Sequence, residues 1–257
     1  MPSCASAGVI ARLRPIIDPA LAFVLLAVLW EYGAALFHLK AYLLPPLSKV
    51  LATLWDNRAT LLSESLVTLQ EVALGYLAAL TGGLLLGLLI FAIVTARRAL
   101  YPAIVLFQGL PKIALAPLLV VWFGIGPLSK VVMAFLFAFF PIVISTLGGL
   151  ASTPLNLVEH FKAIGASPWM SFRRLRLPSA LPSIVDGCRM AAPLAVIGAI
   201  AGEFVGAEQG LGTVVLMANA NARTDLLFAS LIAISILAGL LYCLIELIAR
   251  RVWWRGL

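Results

Sequence analysis

The chain has 257 residues, of which 63% are hydrophobic and only 11% are charged. A soluble domain of this size carries about a quarter charged residues, so the composition excludes an ordinary soluble protein and indicates an integral membrane protein that folds as one unit. The net charge of +7 does not indicate nucleic-acid binding, because the basic residues sort by membrane side, as described below.

Six apolar segments are long enough to cross a membrane, since a spanning helix needs about 20 mainly apolar residues. They cover residues 19–37, 72–95, 100–123, 131–150, 184–205 and 226–249. The predicted fold is therefore all-α, with six transmembrane helices in a single domain over residues 1–257. We expect the first segment to be retained, because Arg12 and Arg14 precede it and no small-residue cleavage site ends it.

Residues 47–69, between the first two spans, have apolar side chains at helical spacing and charged side chains on the other face. This pattern favours an amphipathic helix on the outer membrane surface. A helix that packs against the core is the alternative.

The third span contains Lys112 near its middle, between Pro111 and Pro117. A lysine at that depth is costly and usually faces a cavity or a partner group. Prolines leave backbone groups free, and broken helices near the membrane midplane often form solute sites. Lys112 and the preceding Gln108 are therefore candidate pathway residues. An internal ion pair or a lysine that reaches the interface are the alternatives.

The loop at about residues 154–182 has two helical patterns separated by Gly165, and the pattern predicts that Pro178 and Pro182 stop the second helix before the next span. Long ordered loops are usually functional, so we expect a docking surface here. A solvated loop that binds anionic lipid headgroups is the alternative. The loop carries the densest basic cluster of the chain, Lys162, Arg173, Arg174 and Arg176.

Basic residues predict the orientation, because they concentrate on the cytoplasmic side. With both termini in the cytoplasm, eleven lie inside: Arg12, Arg14, Arg97, Arg98, Lys162, Arg173, Arg174, Arg176, Arg250, Arg251 and Arg255. Five lie outside: Lys40, Lys49, Arg58, Lys130 and Arg223. Lys112 and Arg189 lie in or beside spans, and Trp253 with Trp254 is expected to anchor the C-terminal end at the interface.

The loop resembles the cytoplasmic EAA loop in membrane subunits of bacterial ABC importers. That family has a glutamate, two alanines, Gly-Ala-Ser and a helix ending Leu-Pro-x-x-x-Pro-x-Ile-x-x-Gly. The chain matches at Glu159, Gly165, Ala166, Ser167, Phe172, Leu177, Pro178, Pro182, Ile184 and Gly187. It departs at the two alanines, which are His160 and Phe161. The run LAPLLVVWFGIGPLSKVV also resembles the branch for nitrate, sulfonate, taurine and bicarbonate, which includes permeases for pyrimidine precursors, flavins and aromatic acids. The resemblance covers the chain from about residue 44 onward.

The resemblance implies the type I ABC importer permease fold, working as a homodimer in the bacterial inner membrane. It implies two ATPase subunits as partners, which hold ATP and magnesium, and a periplasmic or lipid-anchored solute-binding protein. The loop residues implied to couple with the ATPase are Glu159, Lys162, Gly165, Ala166, Ser167, Phe172, Arg173 and Arg174. No cofactor is expected in this chain, which has no Walker-type loop. The resemblance does not identify the solute, which could be an anion or an aromatic or pyrimidine-like molecule.

The run GEFVGAEQGLG resembles the family's external gate, which makes Glu203 and Glu208 candidate gate residues. An exposed loop with solvated carboxylates is the alternative. Asp186 and Arg189 are three residues apart on one predicted helix, so we expect them to pair with each other as a structural contact.

The alternatives from other classes of protein are an ion-coupled secondary transporter and a membrane-embedded enzyme. An ion-coupled secondary transporter needs acidic residues inside the membrane, and Glu31 and Glu71 lie near predicted span ends. A membrane-embedded enzyme needs a catalytic or metal-ligand cluster. The chain has only two histidines, His38 and His160, and its cysteines, Cys4, Cys188 and Cys243, are too widely spaced to predict a metal site or a disulfide framework.

Overall fold

The computed structural model describes residues 18, 21–33, 36, 40 and 43–251, and this part of the chain is helical without strands. The helices are α1 (Leu21–Gly33), α2 (Leu47–Asp56), α3 (Arg58–Ala92), α4 (Val94–Gln108), α5 (Ala116–Phe123), α6 (Pro127–Ala151), α7 (Leu155–Ala163), α8 (Pro168–Ser171), α9 (Leu177–Gly206), α10 (Leu211–Ala220) and α11 (Thr224–Arg251). A 3₁₀ turn, Lys112–Leu115, precedes α5, and a π-helical turn, Phe172–Arg176, precedes α9.

Within these residues, four helices are long and apolar enough to cross a membrane, and a bent pair makes a fifth span if it is counted as one. The four are α3, α6, α11 and the continuous helix Pro168–Gly206. The predicted first span, residues 19–37, lies partly outside the described residues. Its described part includes α1, an apolar helix that is shorter than a full span. Arg12, Arg14, His38, Trp253, Trp254 and Arg255 also lie outside them.

Helix α6 lies at the centre of the fold, packed between α3 and α9. Gly75, Gly83 and Gly87 of α3 meet successive turns of α6 so closely that a Cβ at any of them would collide with it. On the other side, Gly198 of α9 lies against the α6 backbone. Small residues allow this close approach of the two backbones. Helix association in a membrane depends on such van der Waals packing, because lipid is as apolar as the helix surfaces. The register makes α6 parallel to α3 and antiparallel to α9, as expected for spans two, four and five of an alternating chain.

The segment at residues 47–69 differs from the predicted single surface helix. The chain turns at Asn57, and everything from Arg58 onward belongs to the 35-residue helix α3. Helix α2 packs against α11 through Val50 and Thr53, both buried, and the Thr53 hydroxyl donates to Asp225 Oδ2 at 3.1 Å. The core-packing alternative is therefore the better description of α2.

The third span is broken, as predicted from Pro111. Helix α4 ends at Gln108, the 3₁₀ turn begins at Lys112, and the two arms meet at 90°. Pro117 does not break the chain, because it lies in the first turn of α5, where a missing N–H costs no hydrogen bond.

The prediction that prolines stop the loop's second helix is wrong. Residues Pro168–Gly206 form one continuous helix of 39 residues. The Leu177 N–H bonds to the Phe172 carbonyl in a wider π-type turn, just before Pro178, which lies in the first turn of α9. Pro182 and Pro193 lie inside α9 without ending it, as happens in membrane helices whose neighbours satisfy the freed backbone groups.

We predict that Gly198→Ala lowers the stability of the protein by about 1–3 kcal/mol, because the added methyl would lie within 3.0 Å of three backbone atoms of α6. Backbone atoms cannot move aside by changing a rotamer. The matched control is Gly148→Ala, since a Cβ there meets nothing within 4 Å. Thermal unfolding of both purified variants checks this, and equal melting temperatures would contradict the packing described for α6.

Candidate functional site

The Gly165-Ala166-Ser167 turn ends one helix and starts the next within three residues. Gly165 has φ +72°, the left-handed conformation that favours glycine. Its N–H bonds to the Lys162 carbonyl at 3.0 Å and that of Ala166 to the Phe161 carbonyl at 2.9 Å, which closes α7 in a Schellman motif. Ser167 Oγ then accepts from the Met170 N–H at 3.2 Å and caps α8. The order Gly-Ala-Ser is therefore explained by the structure: the glycine ends α7 and the serine two residues later caps α8.

The tip of this helical hairpin presents apolar and charged side chains together. Leu155, Ile164 and Trp169 are at least 62% exposed, while Val158 and Leu175 are buried beneath them. Glu159, Lys162, Arg173 and Arg174 are also exposed, and Phe172 is half-buried and stacked on Trp169 at 5.8 Å. Exposed apolar residues rimmed by charge are typical of an interaction surface.

The predicted basic cluster divides into two parts. The Arg176 guanidinium lies over the Phe91 ring at 5.0 Å, which ties the hairpin to α3. Arg173 and Arg174 remain exposed and free to meet a partner or a lipid headgroup.

Lys112 lies at the bend of the broken span, partly exposed, with its Nζ over the rings of Phe137 at 5.6 Å and Phe140 at 5.0 Å. Among the described residues it belongs to no ion pair, so the ion-pair alternative fails for this part of the chain. Gln108 is exposed at the end of α4, beside the same bend. A cation on aromatic faces is stabilised without a counter-charge.

Glu203 is 1% exposed, so the alternative of a solvated loop carboxylate is wrong for this residue. Its Oε1 accepts from the Thr68 hydroxyl at 2.7 Å, and its Oε2 accepts from the Gly212 N–H at 2.5 Å. A Cβ at position 210 or 212 would collide with this carboxylate. The glycines therefore let the N-terminus of α10 close onto Glu203, where its dipole favours a negative charge.

Two neighbouring contacts complete the attachment of α10 to α3. Thr68 Oγ1 accepts from the Leu211 N–H at 2.9 Å, and Glu64 Oε2 accepts from the Gly210 N–H at 2.5 Å. Thr68 is fully buried. We call Glu64, Thr68, Glu71, Lys130 and Glu203 the outer polar cluster, because the orientation predicted from the basic residues places them on the external side.

The basic-residue pattern predicts Lys130 outside the membrane, between two spans; in the structure it is 2% exposed, in the first turn of α6. Its ammonium donates to the carbonyls of Ile125, of Gly126 at 3.1 Å and of Gly206 at 2.9 Å. Three N–H groups thus meet three acceptors. This joins α9 to the loop before α6.

Glu71 lies beside the Glu203 carboxyl group, within helix α3, and is 5% exposed. Its Oε2 has no hydrogen-bond partner. Glu71 and Lys130 line a cavity of about 360 Å³. The exposed Glu208 and Gln209 also line it, with Val67, Ile125, Gly126, Pro127 and Ala207 completing the wall.

The sequence pattern did not predict Thr68, Glu71 and Lys130 as site residues. Each is a polar residue at or near the start of an apolar run, where it resembles a loop residue. One sequence feature could have indicated them: the glycine-rich turn at residues 206–212, whose backbone N–H groups need hydrogen-bond acceptors from other parts of the chain.

Asp186 and Arg189 pair at 2.7 Å, as predicted. Arg189 also reaches Glu246 at 2.6 Å, which joins α9 to α11. No group of three metal-type ligands occurs in the part of the chain that the structure describes.

The sequence matches the family model for the binding-protein-dependent transport system inner membrane component over residues 69–254. The chain is 42% identical to a formylaminopyrimidine transport permease of Halalkalibacterium halodurans, over 76% of this chain and 78% of that protein. It is 35% identical to a protein of Haemophilus influenzae described as a probable ABC transporter permease, over 93% and 98%.

It is also 32% identical to the taurine transport permease of Escherichia coli, over 91% of this chain and 87% of that protein. Among solved structures it is similar in fold to a chain of the inward-facing MetNI methionine ABC transporter. The TM-score is 0.66 at 23% identity, over 77% of this chain and 98% of that one. The chain therefore belongs to the inner membrane components of binding-protein-dependent transport systems, and it is the permease subunit of an ABC importer whose ATPase is a separate chain.

Proposed function

We propose that two copies of this chain, each with six spans and cytoplasmic termini, form the solute pathway, and that each helical hairpin docks on one of two ATPase subunits. One observation carries the coupling part of this proposal. Helix Pro168–Gly206 starts in the exposed hairpin and ends at the outer polar cluster without a break. A 39-residue helix is about 58 Å long. A displacement of the hairpin is therefore transmitted along this helix to its other end.

The hairpin suits this role because it is rigid where it turns and exposed where it would bind. The Schellman turn and the Ser167 cap fix the angle between α7 and α8. Its exposed surface combines an apolar centre at Trp169 with the charges of Glu159 and Arg173. Such a surface fits a groove on a soluble subunit better than an anionic lipid headgroup layer, whose negative surface potential repels the Glu159 carboxylate.

The orientation follows from the basic residues. The hairpin holds four of them and places them at the same end as Arg97 and Arg98.

The solute is proposed from the relatives' names as a small polar organic molecule that an external binding protein delivers. The relatives named above are described as carrying formylaminopyrimidine and taurine. Both an amino-heterocycle and a sulfonate are consistent with Lys112 on its two aromatic rings. The ion-coupled alternative loses its support because the chain belongs to the ABC importer family.

The test of the whole proposal is solute uptake into proteoliposomes that hold the permease, its ATPase and its binding protein. Uptake should require ATP on the ATPase side. ATP-independent uptake driven by an ion gradient would overturn the proposal.

We predict that Glu159→Lys keeps the protein in the membrane but reduces ATP-driven uptake at least about tenfold, because a charge reversal at the docking surface opposes the ATPase contact. Asp56→Lys is the matched control, since Asp56 is an exposed acid on α2 outside the hairpin. The measurements are uptake and co-purification of the ATPase. Equal behaviour of the two variants would contradict docking at the hairpin.

We predict that Lys112→Met impairs translocation while the melting temperature of the complex changes little, because Lys112 has no carboxylate partner in the described chain to strand. Lys112→Arg should be milder, since it keeps the charge over the rings. Lys49→Met, at an exposed lysine of α2, is the control. A large drop in melting temperature with normal uptake per folded complex would show that Lys112 has only a structural role.

A further inference from the structure

An open groove lies between α3 and α11, with the last turn of α2 at one end. It measures about 760 Å³, within the range of about 300–1,000 Å³ that is typical of small-molecule sites. Its two long walls are residues 58–69 of α3 and residues 233–244 of α11. Helix α11 is the least buried of the four long spans, since only 11% of its most apolar stretch is covered by other described residues. The groove therefore marks a side of α11 that lacks a packing partner in this part of the chain.

The walls of this groove are apolar along their length. Leu62, Leu66, Leu240 and Leu244 line it and are each at least 53% exposed. The hydroxyl of Ser65, which also lines it, donates within its own helix to the Leu61 carbonyl. Among the described residues no carboxylate faces the groove. The walls therefore suit a hydrocarbon chain, and they offer no partner for a cationic ligand.

One end of the groove carries a cation, Arg58, in the first turn of α3. The guanidinium lies 4.8 Å from the centre of the Trp55 ring, and its Nη1 donates to the Trp55 carbonyl at 2.8 Å. These two contacts hold the cation at the mouth of the groove. Arg58 is exposed and forms no ion pair within the residues that the structure describes. Because a guanidinium has five N–H donors in a fork that matches phosphate oxygens, most of its donors stay available for a phosphate.

The length of the groove matches one leaflet of a bilayer. Twelve residues of each wall rise by about 16 Å, and half of a hydrocarbon core of about 30 Å is about 15 Å. Both α3 and α11 run inward from the same side, so Arg58 lies at the end of the groove nearest the membrane surface. Trp and Arg side chains are typical of that interface. The groove thus combines an apolar trough of leaflet length with a phosphate-type donor at headgroup level.

A second copy of the chain does not match this combination. Two copies that met here about a two-fold axis would oppose groove to groove, because a two-fold interface pairs the same surface on both chains. Two concave surfaces leave the trough empty, and each Arg58 would face a cation. An apolar helix from another protein would cover the trough but would bring no anion to Arg58.

We propose that this groove binds a glycerophospholipid, with its phosphate on the Arg58 guanidinium and an acyl chain along α3 and α11. The bound chain supplies the van der Waals contact that α11 lacks on this side, so the lipid stabilises α11 against the rest of the fold. The site is separate from the bend at Lys112 and from the outer polar cluster. It rests on the proposed function only for the choice of the outer leaflet, which follows from the proposed orientation.

The experiment measures lipid binding to the permease–ATPase complex after native lipid has been removed in detergent. The complex is melted with dipalmitoylphosphatidylglycerol and separately with dipalmitoylglycerol, which has the same chains without a phosphate. We expect the phospholipid to raise the melting temperature by about 3 °C at ten times its Kd. Dipalmitoylglycerol should raise it by about 1 °C or less at the same concentration, because it brings no anion to Arg58.

Arg58→Met should weaken phosphatidylglycerol binding at least about tenfold, because the charge-assisted hydrogen bonds to phosphate are lost. Arg58→Lys should be milder, since it keeps the charge without the fork. Arg223→Met is the matched control, because Arg223 is an exposed arginine just before α11 that does not line the groove.

A second pair of variants tests the trough without changing the cation. Leu240→Trp should weaken phosphatidylglycerol binding, because the larger side chain occupies the space of the acyl chain. Leu247→Trp is its control, since Leu247 is similarly exposed on α11 but lies beyond the end of the groove.

The occupant in the native membrane is identified with a benzophenone side chain at position 240, illuminated in whole cells. We expect a phospholipid adduct. An adduct with a second copy of the chain, or with another protein, would overturn the inference.

Three further results would also overturn it: equal stabilisation by the two lipids, equal phospholipid affinity in Arg58→Met and Arg223→Met, or equal affinity in the two tryptophan variants. ATP-driven uptake by the wild-type complex is measured separately. Its absence would overturn the proposed function, while its presence beside any of these lipid results would leave that function standing.

Discussion

The close approach of α6 to α3 and α9 is the constraint on which the rest of the structure depends. Glycines at positions 75, 83 and 87 on one side and 187 and 198 on the other bring helix backbones together where any side chain would collide. In a membrane, lipid competes equally for apolar surface, so association depends on this kind of close packing and on polar contacts between helices. The broken segment and the hairpin are attached to this three-helix core, and their positions follow from it.

Continuity of the helix from Pro168 to Gly206 links the two ends of the molecule mechanically. A π-type turn absorbs the entry of Pro178, so the direction of the chain is kept. The Arg189 contact with Glu246 and the Lys130 contact with the Gly206 carbonyl then tie this helix to α11 and to the start of α6. Under the proposed function, a displacement of the hairpin is transmitted along this helix to the outer polar cluster, where the Lys130 contact holds the other end.

The charged residues near the outer end show two ways to hold charge among apolar helices. Lys130 and Glu203 are enclosed by backbone groups, carbonyls for the cation and the N-terminus of α10 for the anion. Lys112 instead lies on the faces of two phenylalanine rings and stays partly exposed at a bend. The first arrangement stabilises a shape, while the second leaves a cation available to water or a passing molecule. Glu71 belongs to neither, because one of its oxygens is unsatisfied.

Composition and local pattern determined the membrane class, the apolar segments, the break at Pro111 and the Gly165 turn, because hydropathy, proline chemistry and left-handed glycine conformations act within a few residues. The loop motif also predicted the family.

Local pattern failed where long-range contacts decide the structure. The prolines after the hairpin did not end its helix, because a π-type turn accommodates Pro178 and a packed membrane helix tolerates Pro182. Lys130, Glu71 and Thr68 looked like boundary residues, yet they are buried, because the turn at residues 206–212 folds back over them and brings α3, α6 and α9 to one point. Which polar residues share a cavity is set by that three-helix register, which no single segment encodes.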